Sequence, residues 1–565
     1  MENLKERVLF PGLTPDMQEI EALAGELPKQ SSIFFYQHEM PYLWVAFIGG
    51  TGTGKSAIFN AFCGQPLSES GIERPKTSGP IAYAHKDAPI EIRFPIRSVR
   101  IDRKASHDDD FIPSTGKPQH LLVLEHQKEE LSHLILIDTP DLDSVAVENR
   151  RIAEDLYLLS DGIVFVTSQE KYADDVPSQF FRKVIEEKKP YFFLLNKVQH
   201  SMTEEDLLGT FQKQHIIFSK DRIWPVFHVP SPVLEGISSQ PTFQDFIHRI
   251  RQEFSPSQIH TLKKEQHAIR AKDLKRRINR LLSLLEEEKR ACDSWQRRLH
   301  SFYEQTTTDL IEDEKERFTD KSREYLRTEI RGLFHKYDVL AKPRRLLKDA
   351  VLFPFRLFGL VSESTPRKQQ EALRRIRRKI DQAPLLRALE KLNRSVFEKL
   401  SPENERSPLF KELRRPGVVL QDSEVQTLIR EKQDELGKWL EETVKKLSEG
   451  LPRSKRWGIY STSIIWGILI LSLEAAVGGG FTMLDMALDS ALAPMVTKGA
   501  VELFAYHEIQ NIAKELAKRY QEGLLLPLSR QRDRYEKSLQ SLMTPQETLD
   551  SLGALRQRID DDPGT

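Results

Sequence analysis

The sequence predicts an α/β domain with a mostly parallel sheet and flanking helices, followed by a long all-α stalk or bundle with an apolar tip segment. In the first half of the chain, short apolar runs alternate with stretches of helical or loop character, a pattern typical of a parallel sheet. After Ser255, apolar residues recur instead at helical spacing in a charged background, which predicts amphipathic helices. The tip is predicted from one strongly apolar run, Ile464 to Leu473.

Length and charge limit the classes of protein that fit. The 565 residues are too many for one ordinary domain. Lys plus Arg and Asp plus Glu number 84 each, so no global charge attracts nucleic acid, and no nucleic-acid partner is expected. The two cysteines, Cys63 and Cys292, are far apart in sequence, which favours a reducing compartment over a disulfide framework or a cysteine-based metal site. The N-terminus lacks a signal-peptide pattern, so the first half is expected in the cytosol.

Changes of character along the chain predict its elements and its parts. Apolar runs predicted as buried strands are Leu43 to Ile48, Leu134 to Ile137, Gly162 to Thr167 and Tyr191 to Leu195. Helices are expected from about Pro15 to Leu27, from Ala57 to Phe62, around Leu274 to Leu285, around Val425 to Leu447 and from Ile509 to Leu526. The predicted parts are an N-terminal helical segment packing on the α/β domain (1–40), that domain (41–254), the helical stalk (255–456), the apolar segment (457–506) and a helix returning to the bundle (507–565).

A glycine-rich loop follows the first predicted strand. Gly49 to Ser56 matches the pattern G-x-x-x-x-G-K-[ST] and precedes a predicted helix. Glycines permit a tight turn whose N–H groups face phosphates, and the helix N-terminus favours an anion. Lys55 is expected to neutralise β and γ oxygens, and Ser56 to offer its hydroxyl to Mg²⁺. The pattern predicts a P-loop rather than a chance turn, with a nucleotide held by Gly49, Gly50, Thr51, Gly52, Thr53, Gly54, Lys55, Ser56 and Ala57.

Two further elements supply candidate metal ligands. Asp138 ends the apolar strand that begins at Leu134, an arrangement typical of a Walker B motif, in which the carboxylate holds Mg²⁺ through water beside Ser56. Thr77 lies in the loop Arg74 to Pro80, which is expected to order around γ-phosphate. The alternatives are a capping aspartate and a plain proline-rich turn.

A base-recognition loop is expected after the strand Tyr191 to Leu195. Asn196 is expected to tie this loop to the P-loop, and Lys197 to cover the purine ring with its aliphatic stem. Ser231, in the segment Val229 to Ser231, is expected to complete the contact with the base.

In this order and spacing, the motifs GxxxxGKS, RPxT, DTPx and NKxx resemble those of translation-factor-class GTPases. The closer resemblance is to bacterial dynamin-like and related large GTPases, because Ile58 to Gly64 resembles their hhNxhhG helix end and Asp138 to Ser144 resembles their DTPDxDS form. It covers residues 43 to about 231, and the rest matches only in architecture. The resemblance implies GTP and Mg²⁺ as cofactors, hydrolysis of GTP to GDP, a homodimer formed through the G domains, and Thr51, Thr53 and Thr77 near the attacking water.

Two residues depart from the family pattern. Asp141 stands where a glycine usually offers its N–H to γ-phosphate, which puts the usual switch mechanism in question. Gln199 stands where an aspartate usually accepts two hydrogen bonds from guanine. Because an uncharged acceptor discriminates less strongly than a carboxylate, a P-loop ATPase stays open as an alternative.

The apolar segment raises the question of a membrane. Gly458 to Val477 is about long enough to cross a bilayer, and basic and aromatic residues precede it, as is typical of a cytosolic membrane interface. Glu474, Asp485 and Asp489 argue against a second clean span. A single span, a hairpin, a paddle lying in one leaflet and a buried core helix all remain open.

A second basic region bears on the same question. Residues 341–381 contain 12 basic and 4 acidic residues, which suits either contact with anionic lipid or a solvated helix face. We therefore expect a lipid bilayer as a partner, with the G domain on its cytoplasmic face. The alternative is a soluble regulatory switch that acts on a protein partner.

Overall fold

The described part of the chain forms two units, each built from segments distant in sequence. The computed structural model describes residues 3–69, 79–105, 114–144, 147–168, 170, 175–199, 220–229, 234–317, 383–449 and 500–562. Unit 1 comprises Met1–Val8, Gln18–Leu284 and Thr544–Thr565, and unit 2 comprises Leu9–Met17 and Leu285–Met543. The five-part division predicted from the sequence stays a prediction.

Unit 1 contains an eight-stranded sheet. Its strands in sheet order are β3, β4, β2, β5, β1, β6, β7 and β8, and every neighbouring pair is parallel except β2 with β5. The predicted α/β class with a mostly parallel sheet is therefore confirmed. The strands are β1 (Leu43–Gly49), β2 (Ile81–His85), β3 (Arg100–Ala105), β4 (His120–His126), β5 (Leu134–Asp138), β6 (Gly162–Ser168), β7 (Tyr191–Val198) and β8 (Ile223–Phe227).

Helices flank the sheet and build the region that follows it. Before the long helix lie α1 (Leu4–Arg7), α2 (Met17–Glu39), α3 (Lys55–Cys63), α4 (Val147–Leu159), α5 (Asp175–Glu186), α6 (Leu234–Ser238) and α7 (Pro241–Glu253), with 3-10 turns at Glu129–Leu131 and Lys220–Arg222. The long helix and those after it are α8 (Pro256–Arg317), α9 (Ala383–Lys399), α10 (Pro408–Leu413), α11 (Asp422–Glu449), α12 (Ala500–Gln540) and α13 (Gln546–Asp560).

Both faces of the central sheet are covered. Along β1, Val45 and Phe47 join the apolar cluster that contains Phe59 of α3, and the Phe47 and Phe59 rings lie 5.4 Å apart. Trp44, which precedes Val45 and faces the other side of the sheet, joins a different cluster with Tyr36 of α2. All residues of β1 are buried, as expected for a parallel strand with helices on both faces. Because β1 is buried on both faces, its C-terminal end, where the P-loop begins, is held in place.

Helix α2 is longer than predicted. It runs from Met17 to Glu39 and contains Pro28, although a proline usually ends or kinks a helix. Ile33 and Phe34, which follow the proline, are only 3% and 2% exposed. The free energy of burying these side chains favours continuing the helix, and the hydroxyls of Ser31 and Ser32 donate to the Pro28 carbonyl.

Unit 2 is helical in its described residues, as predicted. Apolar side chains of α8, α9, α10 and α12 form one core cluster, and those of α8, α9, α11 and α12 form a second. In the first cluster the Trp295 indole N–H donates to the Leu400 carbonyl at 2.9 Å. The apolar run Ile464 to Leu473 and the basic stretch 341–381 lie outside the described residues. Among the residues that are described, no helix combines the length and apolarity needed to cross a bilayer.

Candidate functional site

The loop between β1 and α3 has backbone geometry that requires glycine. Gly54, immediately before α3, has φ +86°, in the left-handed region that favours glycine. A Cβ on Gly54 would lie 2.2 Å from Asn196 Nδ2, and a Cβ on Gly49 would lie 2.2 Å from the Val166 carbonyl oxygen. A side chain at Gly49 would clash with the backbone of β6, and the positive φ at Gly54 disfavours any residue other than glycine.

Lys55, the first residue of α3, lies between two carboxylates. Its Nζ is 2.9 Å from Asp138 Oδ1 and 3.7 Å from Asp141 Oδ1, and its side chain is 3% exposed. Burial lowers the pKa of Lys55, but the two carboxylates outweigh this effect and raise it above its usual value. Lys55 is therefore a fixed positive charge at the start of the helix.

Asp138 ends β5, which pairs with β1. Its carboxylate is fully buried, and the oxygen that does not meet Lys55 accepts a hydrogen bond from Ser68 Oγ at 2.7 Å. Ser56 follows Lys55 in α3. A carboxylate and a serine hydroxyl are oxygen ligands of the kind that Mg²⁺ accepts, so the residue types at Asp138 and Ser56 fit the predicted ion. Thr77, the third predicted ligand, lies outside the described residues.

The two P-loop threonines have different environments. Thr51 donates from both its N–H and its hydroxyl to Asp143 Oδ1, each at 2.6 Å. Thr53 is fully buried, and its hydroxyl donates to the Gly50 carbonyl at 2.8 Å within the loop. Their predicted catalytic role stays a prediction, as does that of Thr77.

The start of the base-recognition loop lies directly against the P-loop. Asn196 Nδ2 donates to the Thr53 carbonyl at 2.9 Å, and Lys197 Nζ donates to the Gly52 carbonyl at 2.8 Å. The contact expected between Asn196 and the P-loop is therefore present. Gln199 is exposed after the end of β7, and Ser231 lies outside the described residues.

The motif reasoning assigned no role to Asn60 and Ser68. Asn60 is buried in α3, where its Nδ2 donates to the Ser68 carbonyl and its Oδ1 accepts from the N–H groups of Leu67 and Ser68. These bonds position the Ser68 hydroxyl that reaches Asp138. The sequence signal for Asn60 was its place as the asparagine of the hhNxhhG pattern, and nothing in the sequence pointed to Ser68.

Part of the chain matches a family model, and part of it is similar to a curated protein. Residues 45–198 match the model of the Dynamin family. A protein from Caldicellulosiruptor sp. (strain Rt8B.4), described as an uncharacterized protein in the xynA 3'region, is 22% identical over 197 residues, which are 34% of this chain and 49% of that protein. The matched region therefore spans about half the length of that relative.

Two solved structures are similar over most of the chain at low identity. Both are described as an oligomerised bacterial dynamin pair that provides a mechanism for the long-range sensing and tethering of membranes. They show 12% and 14% identity with TM-scores of 0.39 and 0.40, and each match covers 96% of this chain and 91% of that one. The match of residues 45–198 to the Dynamin family model confirms the resemblance to dynamin-like proteins that the motifs predict.

Proposed function

We propose that this chain binds GTP with Mg²⁺ in its P-loop domain, hydrolyses GTP to GDP, and couples the cycle to a conformational change at a membrane. The proposal depends on the convergence of Lys55, Asp138 and the Asn196–Lys197 pair at the P-loop. These groups lie at the carboxyl ends of parallel strands, where open α/β sheets bind their ligands.

Each group has a role in this proposal. The amides of Gly49 to Ser56 and the Lys55 ammonium bind the phosphates, and Asn196 and Lys197 hold the purine against the P-loop. Ser56 and Asp138 hold Mg²⁺, which supplies charge neutralisation at the phosphate oxygens. Thr51, Thr53 and Thr77 orient the attacking water, so Thr77→Ala with unchanged turnover would remove Thr77 from that role.

The first experiment measures nucleotide binding to the purified full-length chain. GTP and ATP compete for a fluorescent GTP analogue in the presence of Mg²⁺, with Lys55→Ala as the variant expected to lose binding. GTP displacing the analogue at least about tenfold more effectively than ATP, a difference of about 1.4 kcal/mol, supports the proposal. Equal or better displacement by ATP would favour the P-loop ATPase.

Gln199 provides a sharper test of base identity. Gln199→Asp restores the charged acceptor of the family pattern, and the preference for GTP over ATP is expected to rise at least about tenfold, because charge-assisted hydrogen bonds are the stronger ones. Gln199→Ala serves as the matched control and should not raise the preference. An unchanged preference in Gln199→Asp would mean that residue 199 does not read the base.

Membrane coupling and dimerisation need separate measurements. Flotation with liposomes containing anionic lipid, with GTP, with GDP and without nucleotide, is expected to show binding in at least one state. A protein that floats in none of these states would instead fit the soluble regulatory switch. Light scattering with a GTP transition-state analogue is expected to show a dimer, and a monomer in every nucleotide state would remove the proposed G-domain homodimer.

A further inference from the structure

Two histidines and an aspartate from separate elements of unit 1 meet at one point. His38 lies near the end of α2, His267 lies on α8, and Asp562 follows α13. One nitrogen of each imidazole and one oxygen of the carboxylate all lie within 4.8 Å of one another. Nothing in the nucleotide site uses this cluster.

The spacing of these atoms suits a shared metal ion. Asp562 Oδ1 lies 3.5 Å from His38 Nδ1 and 3.5 Å from His267 Nε2. This distance exceeds the usual range for a hydrogen bond. Ligand atoms at the corners of a tetrahedral zinc site lie about 3.4 Å apart, given bonds of about 2.1 Å. Both pairs are within ion-pair distance, and their spacing matches that of two ligands of one metal ion.

The side chain of His267 is already oriented as a metal ligand would be. Its side chain is 8% exposed, and its Nε2 is buried without a hydrogen-bond partner among the described residues. The ring stacks on Phe34 with centroids 4.2 Å apart, which fixes its direction. An unprotonated imidazole nitrogen is the atom through which histidine binds a metal ion, and the ring of His267 directs its Nε2 towards Asp562.

The surroundings allow an ion to enter and be held. The His38 side chain is 38% exposed, which leaves one side of the cluster accessible to solvent and to a water ligand. The nearby Arg270 guanidinium is paired with Asp161 at 3.0 Å, so its charge is largely compensated. One carboxylate and two imidazoles are ligands that divalent transition metals accept.

Helix α13 already lies along the two elements that carry the histidines. Lys275 of α8 forms an ion pair with Asp560 at 2.5 Å, and the Arg558 guanidinium lies 4.0 Å from the centre of the Phe35 ring of α2. These contacts hold the end of α13 beside both histidines, so Asp562 reaches the cluster without rearrangement.

We propose that His38, His267 and Asp562 bind one divalent transition-metal ion of the Zn²⁺ class. The bound ion joins α2, α8 and the segment after α13, and so fastens α13 to α2 and α8 within unit 1. This metal site is separate from the Mg²⁺ ligands of the P-loop and does not depend on the proposed nucleotide chemistry.

The binding test uses the full-length chain, stripped of metal with a chelator and free of nucleotide. Calorimetry with Zn²⁺ is expected to show one ion per chain with micromolar or tighter affinity, and Co²⁺ is expected to show the absorption bands of a four-coordinate site. His38→Ala and Asp562→Asn should each weaken binding at least about 100-fold, because each removes a direct ligand. Affinity that is unchanged in these variants, or no binding of one ion to the wild type, would overturn the proposal.

Matched controls separate this site from other metal-binding groups. Asp561→Asn removes the adjacent carboxylate, and His260→Ala removes an exposed histidine of the same long helix. Both should bind Zn²⁺ as the wild type does. Lys55→Ala should also retain Zn²⁺ binding, so a failure of the nucleotide proposal and a failure of the metal proposal give different results.

Hydrogen exchange tests the fastening role. Zn²⁺ is expected to slow amide exchange in Gln546–Asp560 in the wild type and in Asp561→Asn, but not in Asp562→Asn. Zn²⁺ binding without added protection of this helix would overturn the fastening role.

Discussion

Asp141 departs from the family pattern and also contacts a residue of the candidate site, Lys55. Its carboxylate lies 3.7 Å from the Lys55 ammonium and is 18% exposed. A triphosphate bound in the loop has to share Lys55 with this negative charge. Asp141→Asn is therefore expected to raise the affinity for the triphosphate about tenfold, equivalent to about 1.4 kcal/mol.

Titration with a fluorescent triphosphate checks this prediction. Asp87→Asn removes a carboxylate that is 72% exposed in a loop after β2, and it should leave the affinity unchanged. An affinity of Asp141→Asn equal to or below that of the wild type would show that the carboxylate does not compete with phosphate.

Gly54 sets the distance between the P-loop and the base-recognition loop. Gly54→Ala places a Cβ 2.2 Å from Asn196 Nδ2 at a φ of +86°, which costs about 1 to 2 kcal/mol in the backbone before the clash is counted. The hydrogen bond from Asn196 to the Thr53 carbonyl has to break. Nucleotide affinity is expected to fall at least about 100-fold and the melting temperature to drop.

The control for Gly54→Ala is a glycine within a helix that has open space around it. A Cβ on Gly553 meets nothing within 4 Å, so Gly553→Ala is expected to stabilise the protein by about 0.5 to 1 kcal/mol and to leave nucleotide binding unchanged. If Gly54→Ala binds nucleotide like the wild type, the loop tolerates a displaced Asn196 and the proposed role of that contact is wrong.

Among the elements, α3 connects the P-loop to the segment after it through Asn60. Asn60→Ala removes the buried partner of the Ser68 N–H and of the Ser68 carbonyl and one of the two acceptors of the Leu67 N–H, which also donates to the Gln65 carbonyl. The expected loss of unfolding free energy is about 2 to 3 kcal/mol. Nucleotide affinity in the presence of Mg²⁺ should fall as well, because the Ser68 hydroxyl no longer has a fixed position at Asp138.

Chemical denaturation checks the loss of stability in Asn60→Ala. Asn279→Ala is the matched control, because Asn279 accepts only an exposed hydrogen bond from Arg556, and its cost should stay below about 0.5 kcal/mol. A loss in Asn60→Ala no greater than in this control would contradict the structural role of Asn60.

The strands differed in how well the sequence predicted them. The central strands β1, β5, β6 and β7 were predicted because each is an apolar run buried on both faces. Strand β3 was missed because its sequence, RIDRKA, is polar and mostly exposed at the sheet edge. Strand β8 was missed because Pro225 interrupts a short run, which an edge strand tolerates.

Some residues and contacts of the candidate site were likewise predicted from the sequence, and others were not. The P-loop, Asp138 and Asn196 were predicted because their residue types follow strands directly in sequence. The contacts of Thr51 with Asp143 and of Ser68 with Asp138 were not predicted. They join residues far apart in the chain, and side-chain hydrogen bonds of this kind leave no local periodicity in the sequence.

At the scale of the whole molecule, the sequence does not predict which segments of the chain belong to which unit. The short segment Leu9–Met17 belongs to unit 2, although residues on either side of it belong to unit 1. Hydrophobic periodicity reports only local structure. It therefore gave no indication that a stretch so near the N-terminus packs with helices hundreds of residues later.

Glu288 on α8 holds that segment within unit 2. Its buried carboxylate accepts hydrogen bonds from the N–H groups of Gly12, Leu13 and Thr14 and from the Thr14 hydroxyl. Removing the acceptor leaves these donors unpaired, and hydrogen bonds to a charged group contribute about 1.5 to 3 kcal/mol each. Glu288→Ala is therefore expected to lower the unfolding free energy by about 3 kcal/mol or more.

Denaturant unfolding and hydrogen exchange in residues 10–17 measure this effect together. Exchange in that segment should accelerate strongly in Glu288→Ala. Glu286 lies two residues before Glu288 on the same helix and forms an exposed ion pair with Arg290. Glu286→Ala should therefore lower the unfolding free energy by less than about 0.5 kcal/mol and leave the exchange of residues 10–17 unchanged. Equal stability and equal exchange in the two variants would mean that the segment is held by its apolar contacts, chiefly those of Leu13 in the core of unit 2, rather than by the buried carboxylate.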